Sequence, residues 1–155
     1  MKVYSWDGRK FVNLGSGFPT RAASGIATFH MNNKQFIAMS FYQNLGGSFR
    51  VMSPVYEWET NEFKVVREVE TNGAVGVQHF YSNGKHYLLF ANTKSQATVF
   101  SWDGTASTLV QSVPTSGLIS CRVYQHDGKG YQLYCTSQFI NTFFFIYVCY
   151  LLVTS

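Results

Sequence analysis

The chain has 155 residues, enough for one domain with a substantial core, and 46% of them are hydrophobic while only 13% are charged. Its 14 Phe and 10 Tyr raise the aromatic share to 17%, which favours strands over helices. The net charge of +4 comes from scattered Lys and Arg, with Arg9-Lys10 as the only adjacent pair, so no phosphate-binding stripe forms and we expect no nucleic-acid partner.

Residues 1–21 are predicted to be half of a structural unit. The triplet Tyr4-Ser5-Trp6 is typical of a strand end, and the following Asp-Gly pair is typical of a hairpin turn. The same aromatic-x-Trp triplet returns at Tyr56-Glu57-Trp58 and Phe100-Ser101-Trp102, so that the tryptophans lie 52 and 44 residues apart. Because a second block of residues recurs with the same offsets, the sequence contains a repeat.

Residues 22–70 and 71–115 are each predicted to form a complete unit of four short antiparallel strands. In the second unit, Asn83-Gly84 suits the positive φ angles of a tight hairpin turn between the first two strands. The longer first interval implies an insertion at about Asn44 to Met52, between the second and third strands. Four antiparallel strands in about 40 to 45 residues form the blade of a β-propeller, so the predicted fold is all-β, a partial β-propeller of four-stranded blades.

Equivalent positions in the units carry the same kind of residue: a glycine before the first strand, aromatics on the first two strands, a glycine turn between them, and the tryptophan. These structural repeat positions are Trp6, Trp58, Trp102, Phe29, Phe80, Tyr124, Gly73, Gly117, Gly84, Gly128, Tyr87 and Tyr131. Recurrence of tryptophan at one position favours a role in the core over sugar stacking. We therefore predict that the three tryptophans are equivalent and largely buried.

Residues 116–137 are predicted to be a further half unit, and residues 138–155 an apolar tail. The tail contains the uncharged run Phe143 to Val153, which is shorter than the roughly 20 residues that a membrane span needs. A degenerate third strand, a non-native end and a membrane-seeking tail all stay open for it. The chain holds about three and a half units, so we interpret it as a fragment that pairs with the remainder of a larger propeller or with itself.

The segment from Gly73 to Trp102 resembles the EAR repeat, also called the epitempin or EPTP repeat. Its pattern of Gly-Ala-x-x-Val-x-x-Phe, a Gly turn, Tyr-Leu-x-x-Ala-Asn and Val-Tyr-x-Trp is almost complete there. The resemblance extends from Val3 to about Ser137 and is weaker outside the middle copy. It implies a seven-bladed propeller in extracellular or cell-surface proteins, such as epitempin-like secreted proteins and thrombospondin-type laminin G domain and EAR repeat proteins, that binds partners.

The usual catalytic and metal-binding motifs do not occur in the sequence. Glu57 and Glu59 are interpreted as a charged outer face, and the four histidines as surface or ring-edge residues without a metal role. Cys121, Cys135 and Cys149 are odd in number; a two-residue turn at Asp127-Gly128 places Cys121 opposite Tyr134, which disfavours its disulfide with Cys135. Without a predicted catalytic residue, cofactor or metal, the sequence favours a non-enzymatic module that binds a receptor or matrix protein, with a carbohydrate-binding or carbohydrate-active propeller as the alternative.

Overall fold

The computed structural model describes residues 2–17, 22–60, 62–115, 117–126, 129–140 and 144–154, with side chains as far as Val123 except Ser16. Every regular element in these ranges is a strand, so the all-β prediction is confirmed. The strands are β1 (Lys2–Trp6), β2 (Phe11–Gly17), β3 (Ala23–Met31), β4 (Lys34–Phe41), β5 (Arg50–Glu59), β6 (Glu62–Asn72), β7 (Ala74–Ser82), β8 (Lys85–Asn92), β9 (Ala97–Trp102), β10 (Ser107–Val113), β11 (Leu118–His126), β12 (Lys129–Ile140) and β13 (Phe144–Thr154).

The described strands form four antiparallel sheets, and within each sheet the strands that are neighbours in sequence pair with each other. Sheet 1 contains β1 and β2, sheet 2 contains β3 to β6, sheet 3 contains β7 to β10, and sheet 4 contains β11 to β13. Sheet 2 packs on sheet 3 through β3, β4 and β7, and sheet 3 packs on sheet 4 through β7, β8 and β11. The first strands of the three larger sheets therefore lie side by side, as the inner strands of neighbouring blades do.

Local sequence explains the hairpin turns. Asn83 and Gly84 have φ angles of 49° and 76°, which is the conformation predicted for this pair. Asn32 and Asn33 form the equivalent turn in sheet 2, with φ angles of 51° and 62°. Between the third and fourth strands, the Asp103 carboxylate accepts hydrogen bonds from the backbone N–H groups of Thr105 and Ala106 at 2.9 and 2.7 Å. Asp7 closes the loop of sheet 1 with the same pair of bonds. These backbone donors hold the pKa of both carboxyl groups below the usual value.

Two apolar cores lie between the three larger sheets, and a smaller cluster of Ile37, Met39 and Tyr56 contacts Val3 of sheet 1. The core between sheets 2 and 3 consists of Phe29, Phe36, Ala38, Val55, Val69, Ala74, Val77, Leu88, Phe90 and Trp102. The core between sheets 3 and 4 consists of Phe80, Leu89, Ala91, Ala97, Val99, Val113, Leu118 and Cys121. Glycine lets the inner strands approach closely, because a Cβ on Gly25 of β3 would lie 2.9 Å from Gly76 Cα of β7.

A row of hydroxyl groups crosses sheet 2 beside the first core. Ser24 and Ser40 hydroxyls lie 3.0 Å apart, and Ser53 and Thr71 hydroxyls 2.7 Å apart. Ser24 also donates to the carbonyl oxygen of Ala74 at 2.5 Å, which joins sheet 2 to sheet 3. Ser40, Ser53 and Thr71 are buried, and the Ser24–Ser40 and Ser53–Thr71 hydrogen bonds offset the cost of removing these groups from water.

The three repeat tryptophans share one register but not one environment. Trp6, Trp58 and Trp102 each pair with the residue five positions later, across the hairpin between third and fourth strands. Trp102 is 3% exposed, whereas Trp58 is half-buried and Trp6 is 59% exposed. Thus the prediction that all three are largely buried is wrong. Trp102 is covered by Phe36 on the second strand of the preceding sheet, and sheet 1 offers no such strand to Trp58.

The apolar tail contributes a strand. β13 pairs with β12 from Ile140 opposite Phe144 to Gly130 opposite Thr154, in the place of a third strand. Cys121 lies opposite Tyr134, as the predicted turn requires, and Cys135 lies opposite Cys149 across β12 and β13. In the described part of the chain, no helix is long and apolar enough to cross a membrane.

Candidate functional site

The repeat positions occupy equivalent places in sheets 2, 3 and 4. Phe29 pairs with Phe36, Phe80 with Tyr87, and Tyr124 with Tyr131, in each case across the hairpin of the first two strands. Gly73 and Gly117 both have a φ of 62°, and the equivalent position in sheet 2 is Ala22 at 50°. Gly128 lies outside the described residues. Where side chains are described, packing and turn geometry account for these residues.

Several glutamates of sheet 2 form ion pairs. Glu57 lies 2.7 Å from Lys34, Glu59 lies 3.0 Å from Lys64, and Glu70 lies 2.9 Å from Arg50. The interpretation of Glu57 and Glu59 as one exposed charged face holds only for Glu59. Glu57 is buried, because it lies opposite Phe36 on the side of sheet 2 that sheet 3 covers. No group of three or more His, Cys, Asp or Glu in the described ranges is placed to hold a metal ion.

Two histidines that the sequence analysis treated separately meet in sheet 3. His79 Nε2 and His86 Nδ1 are 2.9 Å apart, and the His79 ring stacks on Phe29 of sheet 2 with centroids 4.4 Å apart. Burial, with a further contribution from His86, lowers the pKa of His79 to about 4, and burial also lowers the pKa of His86. The signal was present in the sequence, because the Asn83-Gly84 turn fixes the register that makes the two histidines diagonal neighbours on one face.

The end of the sheets that carries the β4–β5 connection has the longest described loop, residues 42–49. It lies where the sequence predicted an insertion. Asn44 accepts hydrogen bonds from the backbone N–H groups of Gly46 and Ser48 at 2.9 and 3.0 Å. The loop is thereby held in a defined turn, and Leu45 at its tip is 88% exposed.

The base of this loop is fixed to the neighbouring sheet. The Tyr42 and Phe49 rings meet edge to face at 5.2 Å, and the Lys94 ammonium lies 4.7 Å from the Phe49 ring centroid. The Gly73 N–H donates to the Phe49 carbonyl oxygen at 2.7 Å. Sheet 3 therefore supports the loop of sheet 2, and the loop presents an apolar side chain on a rigid base.

A cleft of about 510 Å³ opens beside the loop on sheet 2. Its lining combines apolar side chains with a charged rim: Phe41, Gln43, Asn44, Arg50, Val51, Met52, Pro54, Tyr56, Val65, Glu68 and Glu70. Met52 and Val65 are exposed there, and the Arg50–Glu70 ion pair lies at the side. We call the loop 42–49 together with this cleft the loop surface; its mixture of apolar area and peripheral charge is typical of protein recognition.

Solved structures share the fold. A thermostable family-43 glycoside hydrolase superposes with a TM-score of 0.64 at 11% identity, over 88% of this chain and 49% of that one. The GH43_1 enzyme from Xanthomonas citri complexed with xylose gives 0.53 at 16% identity, over 73% and 40%. The chain therefore spans less than half of either enzyme, and at these identities the likeness shows the fold alone, that of a β-propeller.

Sequence comparison identifies the repeat. No curated protein matches the chain. The model of the EPTP domain matches residues 62–103, which begin with the fourth strand of sheet 2 and continue through the first three strands of sheet 3. The predicted resemblance is therefore confirmed over these residues: the middle of this β-propeller chain is an EPTP repeat, of the EAR or epitempin type.

Proposed function

We propose that the chain is a non-enzymatic protein-interaction module of an extracellular or cell-surface EAR-repeat protein, and that it recognises a receptor or matrix protein. The EPTP match at residues 62–103 carries this proposal, because it supports a propeller-type interaction repeat, and the family is generally extracellular. The role that we propose for the chain is receptor–ligand recognition in cell adhesion.

The loop surface is the part of the described molecule that suits such recognition best. Leu45 offers an exposed apolar side chain for the partner. The loop loses little conformational entropy on binding, because hydrogen bonds to Asn44 already hold the turn. The cleft beside it accepts an apolar side chain of the partner over Met52 and Val65, and Arg50 and Glu70 give polar contacts at the rim.

Site-specific photo-crosslinking tests this placement. The chain carries a photoreactive amino acid at Leu45, or at the exposed Leu109 on β10 as a matched control, and is irradiated on the surface of intact cells. We expect one dominant crosslinked protein from position 45 that is absent from position 109. Excess wild-type chain should suppress the product, and excess Leu45→Asp chain should not. Identical products from both positions, or none from either, would overturn the proposal.

The alternative is a carbohydrate-binding or carbohydrate-active propeller. The pairing of the described carboxylates weighs against it, since Glu57, Glu59 and Glu70 are each engaged by a basic side chain on their own sheet, and Glu70 in the cleft is held by Arg50. A glycan array followed by turnover assays on arylglycosides separates the two functions. Glycan binding that Leu45→Asp leaves intact, together with turnover, would favour the alternative.

A further inference from the structure

Three cysteines lie on neighbouring strands of sheet 4, and the strand register separates one of them from the other two. Cys121 on β11 lies opposite Tyr134 on β12, and Tyr134 lies opposite Tyr150 on β13. Cys135 and Cys149 lie directly opposite each other in the adjacent row. Because adjacent rows belong to opposite faces of a sheet, Cys135 and Cys149 share one face and Cys121 lies on the other.

Packing between the sheets accounts for Cys121. The residue is 2% exposed and belongs to the core between sheets 3 and 4. A Cβ on Gly76 of β7 would lie 3.8 Å from its Sγ atom, so this face of sheet 4 lies against sheet 3. The row of Cys135 and Cys149 is on the other face, where packing against sheet 3 gives no reason for a pair of cysteines.

The register brings Cys135 and Cys149 within the reach of a disulfide. Directly opposite residues of an antiparallel pair have Cα atoms about 4.5 or about 5.5 Å apart, according to whether they exchange backbone hydrogen bonds. A disulfide joins residues whose Cα atoms are roughly 4.4 to 6.8 Å apart. Both kinds of opposite pair satisfy this condition, whereas Cys121 is one row away and on the wrong face for either partner.

Strand β13 gains most from such a bond, because its sequence specifies its register poorly. From Phe144 to Thr154 the strand reads Phe-Phe-Ile-Tyr-Val-Cys-Tyr-Leu-Leu-Val-Thr, so apolar residues occupy both alternating sets. A shift by one residue would exchange the two faces at little cost in hydrophobic burial. It would also move Cys149 to a position opposite Tyr134 or Thr136. A covalent bond between the two cysteines would exclude such shifts.

We propose that Cys135 and Cys149 form a disulfide that fixes the register of β13 on β12. A low-molecular-weight disulfide such as oxidised glutathione supplies the oxidising equivalents. The thiolate of one cysteine attacks this reagent and releases one glutathione thiolate, and the thiolate of the second cysteine then attacks the mixed disulfide and releases another. The two cysteines lose two electrons and two protons, which the two glutathione thiols receive. This inference does not rest on the proposed function.

Disulfide mapping of the wild-type chain gives the first test. Reduced chain is refolded in a glutathione buffer, alkylated with N-ethylmaleimide in urea and digested with chymotrypsin, because no Lys or Arg lies between the two cysteines whereas Phe139 and Phe144 do. We expect linked fragments that contain Cys135 and Cys149, with Cys121 alkylated. A second refolding uses equal amounts of ¹⁵N-labelled and unlabelled chain. A disulfide at Cys121, alkylation of all three cysteines, or fragments that join a labelled chain to an unlabelled one would overturn the proposal.

A displaced pair of cysteines gives the second test. In Cys135→Ser/Thr136→Cys the thiol moves one step along β12 to the row of Val148, on the other face from Cys149. In native buffer, the equilibrium constant for oxidation by glutathione should be at least tenfold larger for the wild-type chain than for this variant. In urea the two constants should be the same, because only the folded register distinguishes the two pairs. Cys121→Ala is the control and should leave the wild-type constant unchanged. Equal constants for the wild-type and displaced pairs in native buffer would overturn the proposal.

Discussion

The tryptophan repeat gives a controlled comparison of one side chain in two environments. Trp102 is almost fully buried, and it contacts Phe36 edge to face with ring centroids 5.8 Å apart. Replacing a buried Trp by Ala costs about 3 to 5 kcal/mol of unfolding free energy. About 1 kcal/mol of this loss is offset, because the indole N–H of Trp102 is buried without a hydrogen-bond partner in the wild-type chain and the substitution removes it. We expect Trp102→Ala to destabilise the chain by about 2 to 4 kcal/mol.

Two further variants separate the contribution of the indole N–H from that of burial by the neighbouring sheet. Trp102→Phe keeps an aromatic ring against Phe36 and removes the unpartnered N–H, so its cost should stay within about 1.5 kcal/mol. Trp6→Ala changes the same repeat position where it is exposed, and should cost less than about 1 kcal/mol. The assay is urea unfolding followed by far-UV circular dichroism, at a concentration where light scattering shows monomers. Equal losses for Trp6→Ala and Trp102→Ala would refute the assignment of Trp102 burial to the neighbouring sheet.

Three other predictions concern single positions. The pKa of His79 is about 4 in the folded chain and near 6.5 in an unfolded one, so its contribution to stability is present above pH 6.5 and is lost as the pH falls towards 4. His79→Phe should remove this acid sensitivity, which amounts to roughly 1 to 2 kcal/mol after allowance for the partial exposure of the ring. Urea melts at several pH values measure it. Gly25→Ala should cost about 1 to 3 kcal/mol, because its Cβ would meet backbone atoms of β7. Gly46→Ala in the loop should cost less, because its Cβ would meet a side-chain atom of Asn44 at 3.3 Å and not backbone. Equal losses in thermal melts would contradict the close approach of β3 and β7. Ala22→Gly should stabilise by up to about 1 kcal/mol, since Ala22 has a φ of 50°, and a lower melting temperature would contradict that geometry.

Local sequence rules predicted the strands and their pairing well. The shared offsets identified equivalent hairpins, and the Asn83-Gly84 turn alone fixed the register from Ser82 opposite Lys85 to His79 opposite Leu88. Both features depend on residues close together in the chain, where φ preferences and alternation decide the outcome. The same register places the two histidines together, but only a search for diagonal neighbours would have found them.

Burial was harder to predict because it depends on the neighbouring sheet. Trp6 and Trp102 have the same local sequence context, yet only Trp102 has a second strand of another sheet above it. Glu57 shows the same dependence for a charged residue. It pairs with the exposed Lys34, yet it is buried because sheet 3 covers it. The loop surface was predicted only as an insertion; its cleft depends on how sheet 3 supports the loop, which no local pattern reports.

The strictly sequential pairing of the strands has a consequence for how the chain folds. Among the described strands, every pairing within a sheet joins two strands that follow each other in sequence. Closing such short loops costs little entropy, so each sheet can form quickly and in the order of synthesis. Packing of one sheet on the next then adds the slower step. We therefore expect sheets 2 and 3 to be acquired together as the chain leaves the ribosome, because their shared core includes Trp102 and is incomplete until β9 has emerged.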